Sequence, residues 1–550
     1  MPIAQSVPPR LKFTYPPRGW LLAAAVLVYL LFGNLGHDPW KGDDAVHIGV
    51  AKSMLDRGDW LVPYLAGELF TDYPPLYFWA AKLTAILLGW LLPLHDAFRM
   101  ASVLFAVAMF GCLAATAHAL VGSTKDDANG SISVMIAIGT LGFLAPFHEA
   151  QPLLAVLAAQ AMAMLGLVRA LKIPWRGGMV FGAGVGLAYL SGGFSHALMV
   201  APLALLLPAL APAWRERKTL SGLLAGLLVG LSVIGLHCVL LQLLDPGAFA
   251  TWLEQEAAEL QPKAGMHTLL AKVAVTLPWF AWPALPIAAW ALWCERHKLR
   301  SPAVALPLAA FALALVCIAV AGNSRNAALL PLAPPLILLA TGHAKTMRRG
   351  LANAFDWFGM MSMTFFMALI WIGYIAMATG WPSRLARQAV RIEPGFVLQV
   401  SVFDVALGIA ITAAWLFLIF SGTRSNCRGT VHWAAGICAF WALAMTLWVQ
   451  WVDYGRSYRP VSKSLAAAID SRAGCIAGRD LGDSQRASFY YFDGIVTQRE
   501  IERNSLPCPM LLVQQNGRRA EEPPGATWRK IWEGRRRGDR NEMYRLYVQD

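Results

Sequence analysis

The sequence predicts an all-α polytopic membrane protein that carries a small C-terminal α/β domain. Three observations predict it. Only 14% of the 550 residues are charged and 57% are hydrophobic, where a soluble domain carries about 25% charged residues. Mean hydropathy is +0.49, and apolar runs long enough to cross a bilayer, roughly 20 residues each, recur from Trp20 to Trp451. Beyond Asp453 the chain turns polar and arginine-rich. The boundaries therefore read as a membrane domain over 1–452 and a soluble domain over 453–550.

The elements follow in order. The stretch MPIAQSVPPRLKFTYPPRGW is long and proline-rich ahead of the first apolar run, and no small-residue cleavage site follows it. The first run thus reads as an uncleaved anchor. Fourteen apolar segments are visible: 20–36, 76–92, 97–120, 131–146, 152–169, 177–191, 194–212, 220–243, 270–293, 302–321, 326–342, 357–380, 402–421 and 431–451. Basic clusters decide which of them cross. Arg10, Lys12 and Arg18 place the N-terminus inside, because cytoplasmic flanks collect lysine and arginine. Later clusters are Arg169/Lys172/Arg176, Arg215/Arg217/Lys218, Arg296/Lys298/Arg300, Lys345/Arg348/Arg349 and Arg424/Arg428. If every segment crosses, all the later clusters fall outside. If 76–92 does not cross, all fall inside. That segment is short, starts at Pro74-Pro75 and holds Lys82 in its middle, so it reads as a juxtamembrane or re-entrant helix on the outer face. About thirteen spans remain, with an outer loop over 37–99 and an outer C-terminal domain. The net charge of +13 lies largely in these short clusters, which is the pattern of cytoplasmic loops and argues against a nucleic-acid partner.

The same topology gathers the polar residues on one face: Asp43, Asp44, His47, Asp72, Tyr73, Arg99, His148, Glu149, His267 and Arg325. Ion-coupled transporters place ionisable groups at mid-membrane and show an internal repeat. Neither is visible here, which favours an enzyme acting at the outer membrane surface. Gly182, Gly184 and Gly186 suit close helix packing. The FHEAQP turn reads as a solvated turn, the alternative being an approach to the cavity, and the run Glu254, Glu256 and Glu259 reads as a solvated face. The Gly-Asp-Asp at 42–44 is not a metal-nucleotide DxD, so a soluble nucleotide-sugar donor is not supported.

Six of the eight cysteines lie in or beside apolar spans and read as small buried hydrophobes. Cys475 and Cys508 fall in the C-terminal domain, where an oxidising compartment permits a disulfide between them. In that domain SKSLAAAID reads as a helix, and GCIAG, PMLLVQQ, RKIWEG and MYRLYVQ as short strands. Its expected role is to support the membrane core or contact a partner.

The first outer loop carries the chemistry. Asp43 and Asp44 open the stretch GDDAVHIGVAKSMLDRGDW. Either could simply cap the amphipathic helix that follows. Lying flat in the interface, that helix also holds both carboxylates at headgroup height, where a lipid-linked phosphate sits. The whole run, DDAVHIGVAKSMLDRGDWLVPYLAGELFTDYPPLYFW and then FRMASVLFA, resembles the first periplasmic loop of the GT-C superfamily of polyprenyl-phosphate-sugar glycosyltransferases. It is most similar to the branch of the lipid A aminoarabinose transferases and, more distantly, the protein O-mannosyltransferases. GLAYLSGGFSHALM, HTLLAKVAVTLPW and ALLPLAPPLILL are weaker echoes.

The resemblance implies transfer of a sugar from a polyprenyl phosphate, usually undecaprenyl phosphate, with inversion. The acceptor is lipid A, lipopolysaccharide or another envelope molecule at the outer face of a bacterial inner membrane. It implies Asp43 as the catalytic acid group, serving as base toward the acceptor or stabilising an oxocarbenium-like transition state, with Asp44 in support. His47, Tyr73, Arg99 and Arg325 are the substrate and phosphate candidates; for Arg99 the alternatives are the acidic pair or a span end reaching the headgroups. No cofactor is implied as essential. The one ion implied is a divalent metal such as zinc between Asp72 and His267, the alternative being an ordinary loop acid and an interfacial histidine. Three stretches depart from the branch: Tyr73 replaces the lysine before PPL, Ser191-Gly192-Gly193 stands where it has TKG, and Ser324 and Ala328 stand where it has lysine and tyrosine. Competing readings are transfer to a protein hydroxyl, and a non-catalytic scaffold or lipid-linked-sugar translocator. The sequence gives no oligomeric state.

Overall fold

The computed structural model describes residues 16–17, 19–121, 128–262, 265–322, 325–421, 425–469, 474–500, 508–518, 523–536, 539 and 541–549. Arg10, Lys12, Arg18, Ser324 and Arg424 lie outside them. Helices occupy all thirteen segments expected to cross. Among the described residues, eight helices are long and apolar enough to span a membrane, and up to ten if each bent pair counts as one span. Asn129–Gly139 and Leu141–His148 form one such pair, bent by 66°; Met266–Phe280 and Ala284–Cys294 form the other, bent by 98°. The chain is thus a multi-pass membrane protein. Trp20–Leu31 and Asn326–Thr341 are shorter apolar helices.

Close helix packing uses glycine as the sequence suggests. A methyl group on Gly182 would stand 1.9 Å from the Gly226 carbonyl oxygen, so Pro174–Ala197 and Arg217–Leu244 meet backbone to backbone. Gly184 faces Ala163 and Gly186 faces Val233 in the same way.

The helix Leu76–Leu88 has 13 residues, about 20 Å at 1.5 Å per residue, too short for a hydrocarbon core of about 30 Å. Its buried Lys82 donates to the carbonyls of Met54 (3.1 Å) and Asp59 (3.0 Å), and its ammonium sits 4.1 Å from the Trp60 ring centroid. The lysine that marks the segment as non-spanning therefore ties it to the loop.

The last membrane helix runs Arg428–Arg456, so the C-terminal domain starts three to four residues later than the composition change. The domain holds a five-stranded sheet in the spatial order Gln498–Arg499, Ile476–Arg479, Met510–Asn516, Glu542–Gln549, Trp528–Gly534. The first three strands are parallel and the last two pairings antiparallel. Cys475 and Cys508 are bonded, with Cα atoms 5.1 Å apart, just ahead of the parallel Ile476–Met510 register. Helices Arg459–Ile469 and Asp483–Asp493 accompany the sheet, and Tyr458, Leu465, Phe489, Leu512, Tyr544 and Leu546 fill its core. The composition missed the second helix.

That second helix packs on the acid-pair helix Asp43–Arg57: a methyl on Gly49 would lie 2.8 Å from the Ala487 Cβ. The domain also reaches the loop through Arg486 to Glu68 (2.8 Å), the Gly42 N–H to Ser484 Oγ (2.9 Å), and the ion pairs Lys41–Glu542 and Arg459–Asp38. Loop and domain therefore share one face of the membrane. Thirteen spans put them on one face; fourteen would put them on opposite faces.

Candidate active site

The acid-pair helix begins at Asp43. Its N-cap is Gly42, at φ 120°, and neither aspartate side chain caps the helix. Gly42 takes a backbone conformation that a side chain disfavours, and the two carboxylates fall inside the first turn, where the helix dipole favours negative charge. Successive helical positions then point them different ways, and their surroundings differ completely.

Asp44 is buried at 1% exposure and fully engaged. Arg99 grips it with two bonds, Nε to Oδ1 (3.1 Å) and Nη2 to Oδ2 (2.7 Å). The Trp40 N–H (3.0 Å) and the Ala150 N–H (2.8 Å) also donate to it. Burial alone raises a carboxyl; here the Arg99 charge and hydrogen bonds, with His37 and the Ala150 N–H, outweigh it and hold Asp44 down to about 2.

Arg99 has 0% exposure. Its remaining donors go to Asp96 Oδ1 (3.0 Å), the His37 carbonyl (2.9 Å) and the Asp38 carbonyl (2.9 Å). Of the three readings of Arg99, a substrate phosphate, the acidic pair or a span end reaching the headgroups, the contacts match the acidic pair, through its Asp44 half. His47 is likewise turned inward: it is 3% exposed, its Nδ1 lies 2.6 Å from the Ala150 carbonyl oxygen, and burial lowers its pKa. Neither Arg99 nor His47 lines the cavity described next.

Asp43 lies on the other side. It is half-buried, lines a cavity of about 420 Å³, and its carboxylate makes no side-chain hydrogen bond or ion pair among the described residues. Asp72, Tyr73, His196, Glu259 and Arg325 share the wall. Burial, with the Asp43 and Asp72 carboxylates beside it, raises the Tyr73 phenol above its ordinary value, so it meets the cavity as a neutral hydroxyl. Arg325 is the one lysine or arginine in the lining among the described residues.

His196 and Ser195 are cavity residues that sequence reasoning did not single out, and Gly192 and Glu259, read there as a departure from TKG and as part of a solvated run, join them. Their placement follows from a kink. Inside Pro174–Ala197, Gly192 and Gly193 leave the helical conformation, with Gly193 at φ 75°. A methyl there would strike the Glu256 carboxylate at 1.9 Å. Glu256 is 5% exposed and accepts the Phe194 N–H (2.8 Å). Burial pushes its pKa up to about 7, against the Phe194 hydrogen bond and with help from Glu259. The adjacent Gly-Gly in an apolar helix was the available signal. Of the acidic run read as one solvated face, only Glu254 is exposed; Glu256 is buried and Glu259 faces the cavity.

The FHEAQP turn is not solvated either. His148 is 2% exposed and accounts for both ring nitrogens at the Leu144 and Tyr29 carbonyls (2.5 Å each). Glu149 lines a second, apolar cavity of about 470 Å³ with Trp40, Phe366, Ile370, Phe440 and Arg456. Burial, then Asp44 and Asp43, push Glu149 up to about 8. The turn braces the acid pair, since Ala150 serves both Asp44 and His47.

Of the two residues expected to hold a metal, one faces the cavity and the other is outside its lining. Asp72 lines the cavity and takes a 3.4 Å contact from Gln255 Nε2, whereas His267 is exposed on Met266–Phe280 and absent from the lining. Among the described residues no group of three or more His, Cys, Asp or Glu could hold an ion. No chemistry is assigned to a metal here.

The first loop of a helical membrane domain thus presents a carboxylate to a cavity, with an α/β domain packed on the same face. In sequence and in fold the chain is similar to ArnT proteins. It aligns with the crystal structure of ArnT from Cupriavidus metallidurans bound to undecaprenyl phosphate at TM-score 0.65, over 96% of this chain and 97% of that one, with 15% identity. It is 24% identical over 442 residues to the undecaprenyl phosphate-alpha-4-amino-4-deoxy-L-arabinose arabinosyl transferase of Serratia proteamaculans, covering 76% of this chain and 74% of the relative. The match to the transferase of the same name from Pectobacterium carotovorum is 27% identical and spans 62% of each chain. No family model matches.

Proposed function

We propose that the chain is a membrane glycosyltransferase that moves a sugar from undecaprenyl phosphate, or a related polyprenyl phosphate, to lipid A or another envelope acceptor, with inversion. One observation carries the reading: Asp43 is held without a partner at a cavity wall while its neighbour Asp44 is clamped. The relatives named above are transferases that use undecaprenyl phosphate-linked aminoarabinose, and they support the donor class.

In this mechanism Asp43 accepts the acceptor hydroxyl's proton as that oxygen attacks the anomeric carbon, and the polyprenyl phosphate leaves from the opposite face. Arg325 and the neutral Tyr73 hydroxyl meet the phosphate. Asp44 and Arg99 position the helix and do not touch substrate. The apolar cavity beside Glu149 suits a lipid chain approaching the other side of the loop. The Cys475–Cys508 bond suits an oxidising compartment, which supports a periplasmic face for loop and domain, in the inner membrane.

The test is mass spectrometry of envelope lipids and glycoproteins from cells carrying the wild type, the Asp43→Asn variant or no copy. A sugar mass on a lipid that vanishes with the copy and with Asp43→Asn is the expected result. The same mass on proteins would move the acceptor to a protein hydroxyl. No mass difference would refute the transferase. A tag after Asp550 should be reachable from the periplasm, and a cytoplasmic tag would overturn the placement.

A further inference from the structure

On the face that carries the C-terminal domain, away from Asp43, the short helix Ser383–Ile392 has no buried residue. At 100° per residue, Arg384, Arg387 and Arg391 share one arc of it, and Leu385, Ala389, Val390 and Ile392 fall on the opposite one. Exposed apolar side chains flank it in the chain, including Trp381 (72%) before and Phe403 (73%) after. That is the composition of a helix lying in the membrane interface, apolar face in the acyl region and arginines among headgroups. It is pinned in place by the segment that follows. Tyr454 Oη donates to the Pro394 carbonyl (3.0 Å), and Gln450 and Gln399 exchange hydrogen bonds (3.0 and 3.2 Å).

The last arginine of this helix opens onto a cavity of about 390 Å³ shared with the C-terminal domain. Arg391, Arg518 and Arg536 line it, with Glu393 and Asp539. Arg536 is committed: it pairs with Asp539 and donates to the Gly455 carbonyl. Arg391 and Arg518 are exposed and form no ion pair among the described residues. Two guanidinium groups without an ion-pair partner among the described residues therefore meet in a concave site beside a third that is already paired. We propose that this cavity binds the phosphate of an anionic membrane lipid, and that the site seats the C-terminal domain on the bilayer. Guanidinium pairs are suited to phosphate, and a basic segment beside a membrane gains from anionic lipid. The proposal does not rest on sugar transfer, and its failure would leave that reading untouched.

The test uses the full chain purified in neutral detergent, titrated with fluorescent phosphatidylglycerol, with phosphatidylcholine carrying the same label, and with unlabelled inorganic phosphate as competitor. The wild type should bind phosphatidylglycerol, more weakly as salt rises, and should bind phosphatidylcholine at least tenfold less well. The double variant Arg391→Gln/Arg518→Gln changes two exposed residues and should keep the wild-type elution and helicity. It should lose about tenfold or more in phosphatidylglycerol affinity. Arg384→Gln/Arg387→Gln removes equal charge outside the cavity and should lose clearly less. Equal binding of the two lipids, or equal loss from both double variants, would overturn the site. Displacement by inorganic phosphate at the lipid's own affinity would overturn the lipid as its occupant.

Discussion

The adjacent aspartates offer a paired perturbation, Asp43→Asn against Asp44→Asn, in which equal chemistry should give opposite phenotypes. Asp44 accepts four hydrogen bonds, two of them from a fully buried guanidinium. An asparagine there presents an NH2 group to one cluster of those donors and leaves Arg99 with Asp96 as its only carboxylate. Removing one partner of a buried charge pair costs about 3–5 kcal/mol, because the other charge stays desolvated. Asp43 has no such partner to lose, so Asp43→Asn should alter stability by less than about 1 kcal/mol, while loss of a general base should lower turnover by about 10²–10⁴-fold. The assays are thermal unfolding in detergent and transfer of labelled sugar from polyprenyl phosphate by the same preparations. Asp43→Asn should unfold like the wild type and be nearly inactive. Asp44→Asn should unfold at markedly lower temperature, and Arg99→Met should behave like it. Full transfer by Asp43→Asn would refute its catalytic role. An Asp44→Asn protein as stable as the wild type would refute the division of labour between the two carboxylates.

Three further outcomes are expected. The folded pKa of Glu256 lies above its ordinary 4.5, at about 7, so its contribution is fully present below 4.5 and is lost as pH rises through 7; hydrogen exchange over 246–259 should therefore quicken between those values, and Glu256→Gln should flatten the change. Replacing Cys475 and Cys508 by serine opens a loop of sequence separation 33 and should lower the unfolding stability of the C-terminal domain by about 2–4 kcal/mol, read by limited proteolysis across 457–549. Gly193→Ala adds a methyl 1.9 Å from the Glu256 carboxylate at a positive φ; it should release the Pro246–Glu259 helix to protease and lower transfer, while Gly235→Ala, which has open space around it, should do neither.

The sequence made the membrane domain legible because its signals are local. Apolar length marks a span, and that feature found helices in all thirteen segments, eight to ten of them long and apolar enough to cross among the described residues, and set aside Leu76–Leu88. The acid pair was legible as a motif, yet its two halves looked alike. What separates them is a helical turn of about 100° per residue, together with Arg99, Trp40 and Ala150, which come from the helix Leu94–Val121, the preceding loop and a turn more than a hundred residues away. His196 and Glu259 were illegible for the same reason: their relevance depends on the Gly192–Gly193 kink and on a helix folding back over it. Acids on a polar-looking helix read as solvated until a partner such as the Phe194 N–H is known. The disulfide pairing was the exception, since among the C-terminal cysteines only one pairing existed.

The departure at Tyr73 takes on a physical meaning in this setting. A lysine beside Asp43 and Asp72 would neutralise them; the neutral phenol does not. Among the described residues the lining then carries the carboxyl groups of Asp43, Asp72 and Glu259 and one guanidinium, that of Arg325. Such a wall is poorly matched to a free phosphate dianion and better matched to a phosphodiester, whose single charge one guanidinium can meet. A polyprenyl-phosphate sugar is a phosphodiester before transfer, and its leaving group gains a second charge as the bond breaks. The surplus carboxylates therefore oppose retention of the spent carrier. By the same charge balance they favour a sugar that bears a cation or develops one at the anomeric carbon. A site built in this way holds its donor loosely and gives up its product readily, and it leaves the clamped Asp44–Arg99 pair, not the substrate, to keep Asp43 in place.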